Sequence, residues 1–112
     1  MVYRYADIGI EPAGTLAETA LLLGQALGLA FNEDTRCRFD EYPAFVTERD
    51  GFRYALLGVP NPEDDVRDEP SSDFKLLVES IGARAQDGKE NISQELVLRI
   101  QSHSHLRCWQ LT

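Results

Sequence analysis

Long hydrophobic runs and cysteine are both scarce in this 112-residue sequence. No stretch approaches the roughly 18 to 20 continuous apolar residues that a bilayer-spanning helix needs, and the segment Met1–Asp7 has no basic region followed by an apolar one. We therefore expect a cytoplasmic protein without a signal peptide. The two cysteines, Cys37 and Cys108, make no disulfide framework, and two reduced, buried thiols are the simpler interpretation.

Familiar enzyme motifs are also missing, because the chain has no Gly-rich phosphate loop, no paired CxxC, no HExxH and no GxSxG. His103, His105 and Cys108 offer two imidazoles and a thiol, but a zinc site needs a further ligand, so an exposed turn is the favoured interpretation. Nothing marks an activated thiol, and Cys37 alternates with Phe39 as a core residue would. Most carboxylates lie in solvated runs. We expect no enzyme activity, no cofactor and no metal.

The charge is strongly unbalanced, with nineteen Asp and Glu against eleven Lys and Arg and a net charge of −8. Such a surface repels a phosphate backbone and an anionic membrane, so neither nucleic acid nor a membrane is an expected partner. A basic protein partner fits the charge, because complementary potentials speed association. Solubility alone is the other explanation for the acidity.

The first predicted helix follows Thr15 and Glu18, which stand at the spacing of a capping box. Its apolar face recurs at helical spacing in Leu16, Ala20, Leu23, Leu27 and Ala30. Gly24 and Gly28 lie four residues apart, a spacing that allows a close approach to a sheet.

The second predicted helix has Asn91 as its N-cap, and Gln94 is placed to complete a second box. It is predicted to end around Ser102. Its apolar stripe consists of Ile92, Leu96, Val97 and Ile100.

Strand patterns surround these helices. Residues 36–41 alternate, and residues 44–48 and 52–59 flank Asp50-Gly51, a pair that is typical of a hairpin turn. Residues 74–79 and 106–111 also alternate. Residues 3–10 are left open, either as a short strand or as the lead-in to the first helix.

This element order predicts an α+β fold in a single domain, residues 1–112. The sheet is predicted to be mostly antiparallel, with about four to five strands and both helices on one face. The other face is then left to solvent or to a partner.

The acidic residues form runs that are either solvated loops or parts of a binding surface. We expect partner contacts from eight residues: Asp40, Glu41, Tyr42, Glu63, Asp64, Asp65, Asp68 and Glu69. The polar loop 61–73 is the main candidate, because a long loop in a small domain is often functional. A calcium site there is a lesser possibility, since EF-hand ligand spacing is missing. Some of these acids are expected to converge with Tyr42, Tyr54 or Trp109.

Three segments, residues 39–44, 52–60 and 92–109, resemble the small immunity proteins of bacterial contact-dependent growth inhibition systems. The resemblance implies a cytoplasmic inhibitor that binds a toxin domain, often a nuclease with a basic cleft, as a monomer in a one-to-one complex. It implies no specific site residues. The alternatives are a non-catalytic regulatory or adaptor domain that self-associates through its open sheet face, and a small enzyme that uses carboxylates or a cysteine.

Overall fold

A computed structural model describes residues 2–36, 38–39, 42–60, 63, 72–83 and 88–111. The elements in chain order are β1 (Tyr3–Ile10), α1 (Leu16–Leu27), β2 (Asn32–Glu33), β3 (Ala44–Arg49), β4 (Phe52–Leu57), β5 (Phe74–Ser80), β6 (Lys89–Asn91), α2 (Ser93–His103) and β7 (Cys108–Gln110). The α+β prediction is confirmed, although the sheet has seven strands in these residues instead of four to five. Neither described helix is long and apolar enough to cross a bilayer.

The sheet has the order β2-β3-β4-β5-β1-β6, and β7 also pairs with β1. All pairs are antiparallel except β1 with β6. The outer edge of β1 is therefore shared: β6 pairs with its first half, at Tyr3–Tyr5, and β7 with its second half, at Ile8–Ile10. The open question about residues 3–10 is settled, because this segment is a strand with neighbours on both sides.

Alternate side chains of the central strands point at the helices and form the main core. Ile8, Leu56 and Leu76 are fully buried against Leu23 of α1 and Ile100 of α2. Burying a side chain of this size is worth about 1.5 to 3 kcal/mol, which makes this layer the principal source of stability. The apolar stripe predicted for the second helix is confirmed at Leu96, Val97 and Ile100, which are buried in this core.

The capping box of α1 is formed as predicted. The Glu18 N–H donates to Thr15 Oγ1 at 3.1 Å, and the Thr15 N–H donates to Glu18 Oε1 at 2.9 Å. The helix ends at Leu27, and Gly28 adopts the left-handed conformation that its missing Cβ permits. The expected approach of Gly24 to a sheet is wrong: a Cβ there would lie 2.4 Å from the carbonyl oxygen of Leu29, in the turn that follows the helix.

The start of α2 differs from the prediction. Its N-cap is Ile92, which makes no side-chain capping bond, so the box with Gln94 is not formed. Asn91 belongs to β6, and its Oδ1 accepts a hydrogen bond from the Ser93 N–H at 2.9 Å. The strand β6 was not predicted, because its three residues are all polar and exposed.

The hairpin of β3 and β4 is confirmed. Asp50 and Gly51 have φ angles of 52° and 83°, and two positive values in succession are what a type I′ turn requires. The predicted strand at residues 36–41 is wrong for its described residues Arg36, Arg38 and Phe39, which lie in a bend and a turn. The Asp34 carboxylate there accepts from the N–H groups of Arg36 and Arg38, at 3.3 and 3.0 Å, and draws the backbone away from a ladder.

Candidate binding face

The side of the sheet opposite the helices, which we call the aromatic face, is lined by strand residues of the other alternation. Its central residues are Tyr3, Tyr5, Asp7 and Gly9 of β1, Lys75, Leu77 and Glu79 of β5, Arg53, Ala55 and Leu57 of β4, and Trp109 of β7. No described helix lies on this face, since α1 and α2 both pack against the other one.

A small apolar cluster forms the floor of one part of the aromatic face. Ala44, Ala55 and Leu57 are buried, and Phe39 and Tyr42 pack over them from the segment before β3. A strand residue on a solvated face is usually polar. These three apolar side chains are instead buried, so this area of the face is shielded from solvent.

Two neighbouring cavities open on the face. The first, of about 350 Å³, is lined by residues that include Tyr5, Asp7, Phe39 and Glu79. The second, of about 380 Å³, is lined by residues that include Tyr42, Leu57, Lys75 and Trp109. Leu77 lines both cavities and so stands between them. Volumes of this size are at the lower end of those that hold small ligands.

The indole of Trp109 lies directly on the backbone of Gly9. A Cβ atom built on Gly9 would be 2.4 Å from Trp109 Cε2 and Nε1, so only glycine leaves room for the ring. Trp109 remains 38% exposed, although Cys108 before it is buried on the helix side. The strand β7 thus places one large aromatic side chain on the surface, in contact with the neighbouring strand β1.

An array of polar side chains forms one rim of the first cavity. Tyr3 donates its hydroxyl hydrogen to Glu79 Oε2 at 3.1 Å, Arg53 Nη1 donates to Glu79 Oε1 at 3.2 Å, and Arg53 Nε donates to Glu48 Oε1 at 3.3 Å. These side chains are partly solvated, so each pair adds little stability. Burial, followed by the Glu79 contact, raises the pKa of Tyr3. The rings of Tyr3 and Tyr5 stack with centroids 6.2 Å apart.

The residues predicted to contact a partner are only partly within the described structure. Tyr42 lines the second cavity beside Trp109, and Glu63 is exposed. The other six predicted contacts lie outside the described residues: Asp40, Glu41, Asp64, Asp65, Asp68 and Glu69. The proposed calcium loop also lies outside them, apart from Glu63, Ser72 and Asp73.

Of the three aromatic residues expected to converge with acids, the structure brings Tyr42 and Trp109 together but not Tyr54. Tyr54 is on the helix side, packed against the main core, where burial raises its pKa. The register of β4 decides this, because Tyr54 alternates with Arg53 and Ala55. Tyr5 and Asp7 were not recognised from the sequence; the alternation Tyr3, Tyr5, Asp7, Gly9 is the signal that would have placed them on one face.

The histidines and the described cysteine differ in their exposure to solvent. His103 and His105 are exposed, whereas Cys108 is buried and its Sγ lies 3.8 Å from the carbonyl oxygen of Val97. Burial raises the pKa of the Cys108 thiol, which disfavours the thiolate that a nucleophile or a metal ligand needs. Across the described ranges, no three His, Cys, Asp or Glu side chains are grouped to hold a metal ion.

In comparisons with known proteins, no family model matches this chain, and no curated protein matches it at a significant level.

Proposed function

We propose that this protein is an immunity protein that binds and neutralises a basic, nuclease-type toxin domain in the bacterial cytoplasm. The observation that supports this most is the aromatic face, which combines Trp109, Tyr5 and Tyr42 with two cavities and a charged rim. Interface hot spots often consist of aromatic anchors in desolvated pockets surrounded by polar groups. The resemblance of residues 39–44, 52–60 and 92–109 to immunity proteins agrees with this function.

The net charge has a separate role in the proposal. Among the described strand residues of the aromatic face, Asp7, Glu48 and Glu79 stand against Arg53, Lys75 and Lys89, and Asp73 also lines the second cavity. The described part of this face thus accounts for little of the net charge of −8, and seven of the nineteen carboxylates are outside the described residues: Asp40, Glu41, Asp64, Asp65, Asp68, Glu69 and Asp87. Surface charge of this kind raises the association rate, whereas buried anchors slow dissociation.

The first experiment tests the anchors. The protein is co-expressed with a candidate basic toxin domain, and binding rates are measured by biolayer interferometry. We expect a one-to-one complex by native mass spectrometry. Trp109→Ala and Tyr5→Ala should each weaken binding about 30-fold, the equivalent of a 2 kcal/mol hot spot, mainly through faster dissociation. The matched control is Leu98→Ala, which removes an exposed apolar side chain of α2.

The second experiment tests the acidic loop. Charge reversal of Glu63, Asp64 and Asp65 to lysine should slow association at low salt and leave dissociation unchanged, and the difference should shrink as salt screens the field. Association as fast as that of the wild type would remove the loop from the proposal.

The outcomes separate the alternatives. If Leu98→Ala weakens binding and Trp109→Ala does not, the interface is on the helices. If no toxin domain binds and light scattering shows a dimer that Trp109→Ala dissociates, the protein is instead a self-associating adaptor domain.

A further inference from the structure

Asp7 is an acidic side chain in the middle of the sheet, on a strand that has neighbours on both sides. It faces the first cavity on the aromatic side, directly opposite Leu77 of β5. Its Oδ1 atom is shielded from water and has no hydrogen-bond donor. A carboxylate oxygen in such a position is costly, because it has lost hydration without gaining a partner.

The cations that the structure describes on this face are placed away from Asp7 or are already paired. Arg53, which faces the same side of the sheet, is held by Glu48 and Glu79. Lys75 lies opposite Gly9, diagonally across from Asp7, and Lys89 lies opposite Tyr3, four residues along the strand. Within the described part of the chain, neither lysine forms an ion pair with Asp7. The Asp7 carboxylate thus has no counter-ion among the described residues and can accept one from a binding partner.

The walls of the first cavity suit a flat cation. Tyr5 and Phe39 supply aromatic rings, and Ala55 and Leu77 supply an apolar floor. A guanidinium group is planar, stacks on aromatic faces and pairs with a carboxylate through two N–H groups, whereas an ammonium is compact and strongly hydrated. Arginine thus matches both the carboxylate and the walls better than lysine does.

We propose that the first cavity receives one arginine side chain of the protein partner, with the Asp7 carboxylate as its counter-ion. This inference rests on the proposed function, because it assigns a basic partner to the same face. Of the charged side chains that line the cavity among the described residues, Arg53 and Glu79 already pair with each other, and Lys89 lies opposite Tyr3. The Asp7 carboxylate is therefore the group left to attract a cation from the partner.

The test needs no identified partner. ¹⁵N-labelled protein is titrated with N-acetyl-arginine amide, and in parallel with N-acetyl-citrulline amide, which has nearly the same shape but no charge. We expect saturable shifts of the amide signals of Tyr5, Asp7 and Leu77 with the arginine compound, and binding at least tenfold weaker with the citrulline compound. The salt concentration is matched in both titrations.

Two variants complete the design. Asp7→Asn keeps the size of the side chain and should weaken arginine binding at least tenfold, whereas Glu90→Gln removes a carboxylate that pairs with Arg4 at the sheet edge and should leave it unchanged. The inference is overturned if citrulline binds as well as arginine, if the shifts spread over all surface carboxylates, or if Asp7→Asn titrates like the wild type. The comparison of arginine with citrulline is made on the wild-type protein, so it remains valid even if a variant fails to fold.

The inference and the proposed function fail in different ways. Arginine binding at Asp7 without any toxin partner would keep the subsite and remove the immunity function. A toxin complex whose affinity is the same with Asp7→Asn would keep the function and remove the subsite.

Discussion

Replacing Gly9 by alanine is expected to displace the one tryptophan of the protein. The added methyl group would lie 2.4 Å from Trp109 Cε2 and Nε1 and 2.7 Å from Cζ2, well inside van der Waals contact. The indole is rigid, and Cys108 next to it is buried in the core, so the ring must rotate away or β1 must shift. Overpacking of this kind costs about 1 to 3 kcal/mol of the free energy of unfolding.

When the indole ring is absent, Gly9→Ala should raise the free energy of unfolding instead of lowering it. In a Trp109→Ala background the three atoms nearest to the new methyl group are gone, and alanine is favoured over glycine within a strand by about 0.5 to 1 kcal/mol. The double-mutant cycle should therefore show a coupling of about 1.5 to 4 kcal/mol between the two positions.

Urea denaturation followed by circular dichroism measures all four proteins, because this signal does not depend on the tryptophan. In Gly9→Ala alone, the fluorescence emission of Trp109 should also move to longer wavelength as the ring enters water. An equal cost of Gly9→Ala in both backgrounds would refute the reasoning, since the penalty would then arise from the strand and not from the ring.

Three further expectations concern stability and reactivity. Thr15→Ala should lower the free energy of unfolding in urea by about 1 kcal/mol through loss of the cap, and Thr15→Ser should retain most of it. Although burial acts to raise the pKa of Asp34, hydrogen bonds from two backbone N–H groups and a guanidinium lower it. The higher melting temperature of the wild type relative to Asp34→Asn should therefore be fully present above about pH 3.9 and should disappear as the pH falls through the lower folded-state pKa. A difference in melting temperature that does not change with pH would contradict this. In a Cys37→Ser background, Cys108 should react with an aromatic disulfide at least about tenfold more slowly in the native state than in urea, and equally fast reaction would show that β7 opens readily.

The parts of the fold that local chemistry decides were predictable from the sequence. The Thr15 and Glu18 side chains cap α1 whatever lies around them, and Asp50-Gly51 adopts the positive φ angles of a hairpin turn on its own. The core positions of α2 were also predictable, since the apolar stripe allows a single face to be buried.

Two parts of the fold could not be predicted in this way, because they depend on which strands pair or on side chains that compete for backbone hydrogen bonds. Residues 36–41 alternate like a strand, but Asp34 hydrogen-bonds to the backbone of Arg36 and Arg38 and forms a turn. The strand at Lys89–Asn91 exists because β1 offers it a parallel neighbour, and nothing in its three polar residues indicates this.

The candidate site was predicted only in outline. An uncovered sheet face was expected, and Tyr42 and Trp109 were expected to belong to a binding patch. The role of Asp7 was missed because its importance comes from its position in the middle of the sheet, which depended on whether residues 3–10 form a strand.

Asp7 also stands where the outer edge of β1 passes from one short strand to the other. Its N–H donates to Ser93 Oγ at 3.0 Å, its carbonyl accepts from the Leu111 N–H at 2.9 Å, and β5 pairs with it on the other side. The backbone of this residue is thus held by the start of α2, the segment after β7 and the neighbouring strand β5. Because this backbone is already fixed, a cation that bound at the proposed site would not have to order the strand that carries the carboxylate.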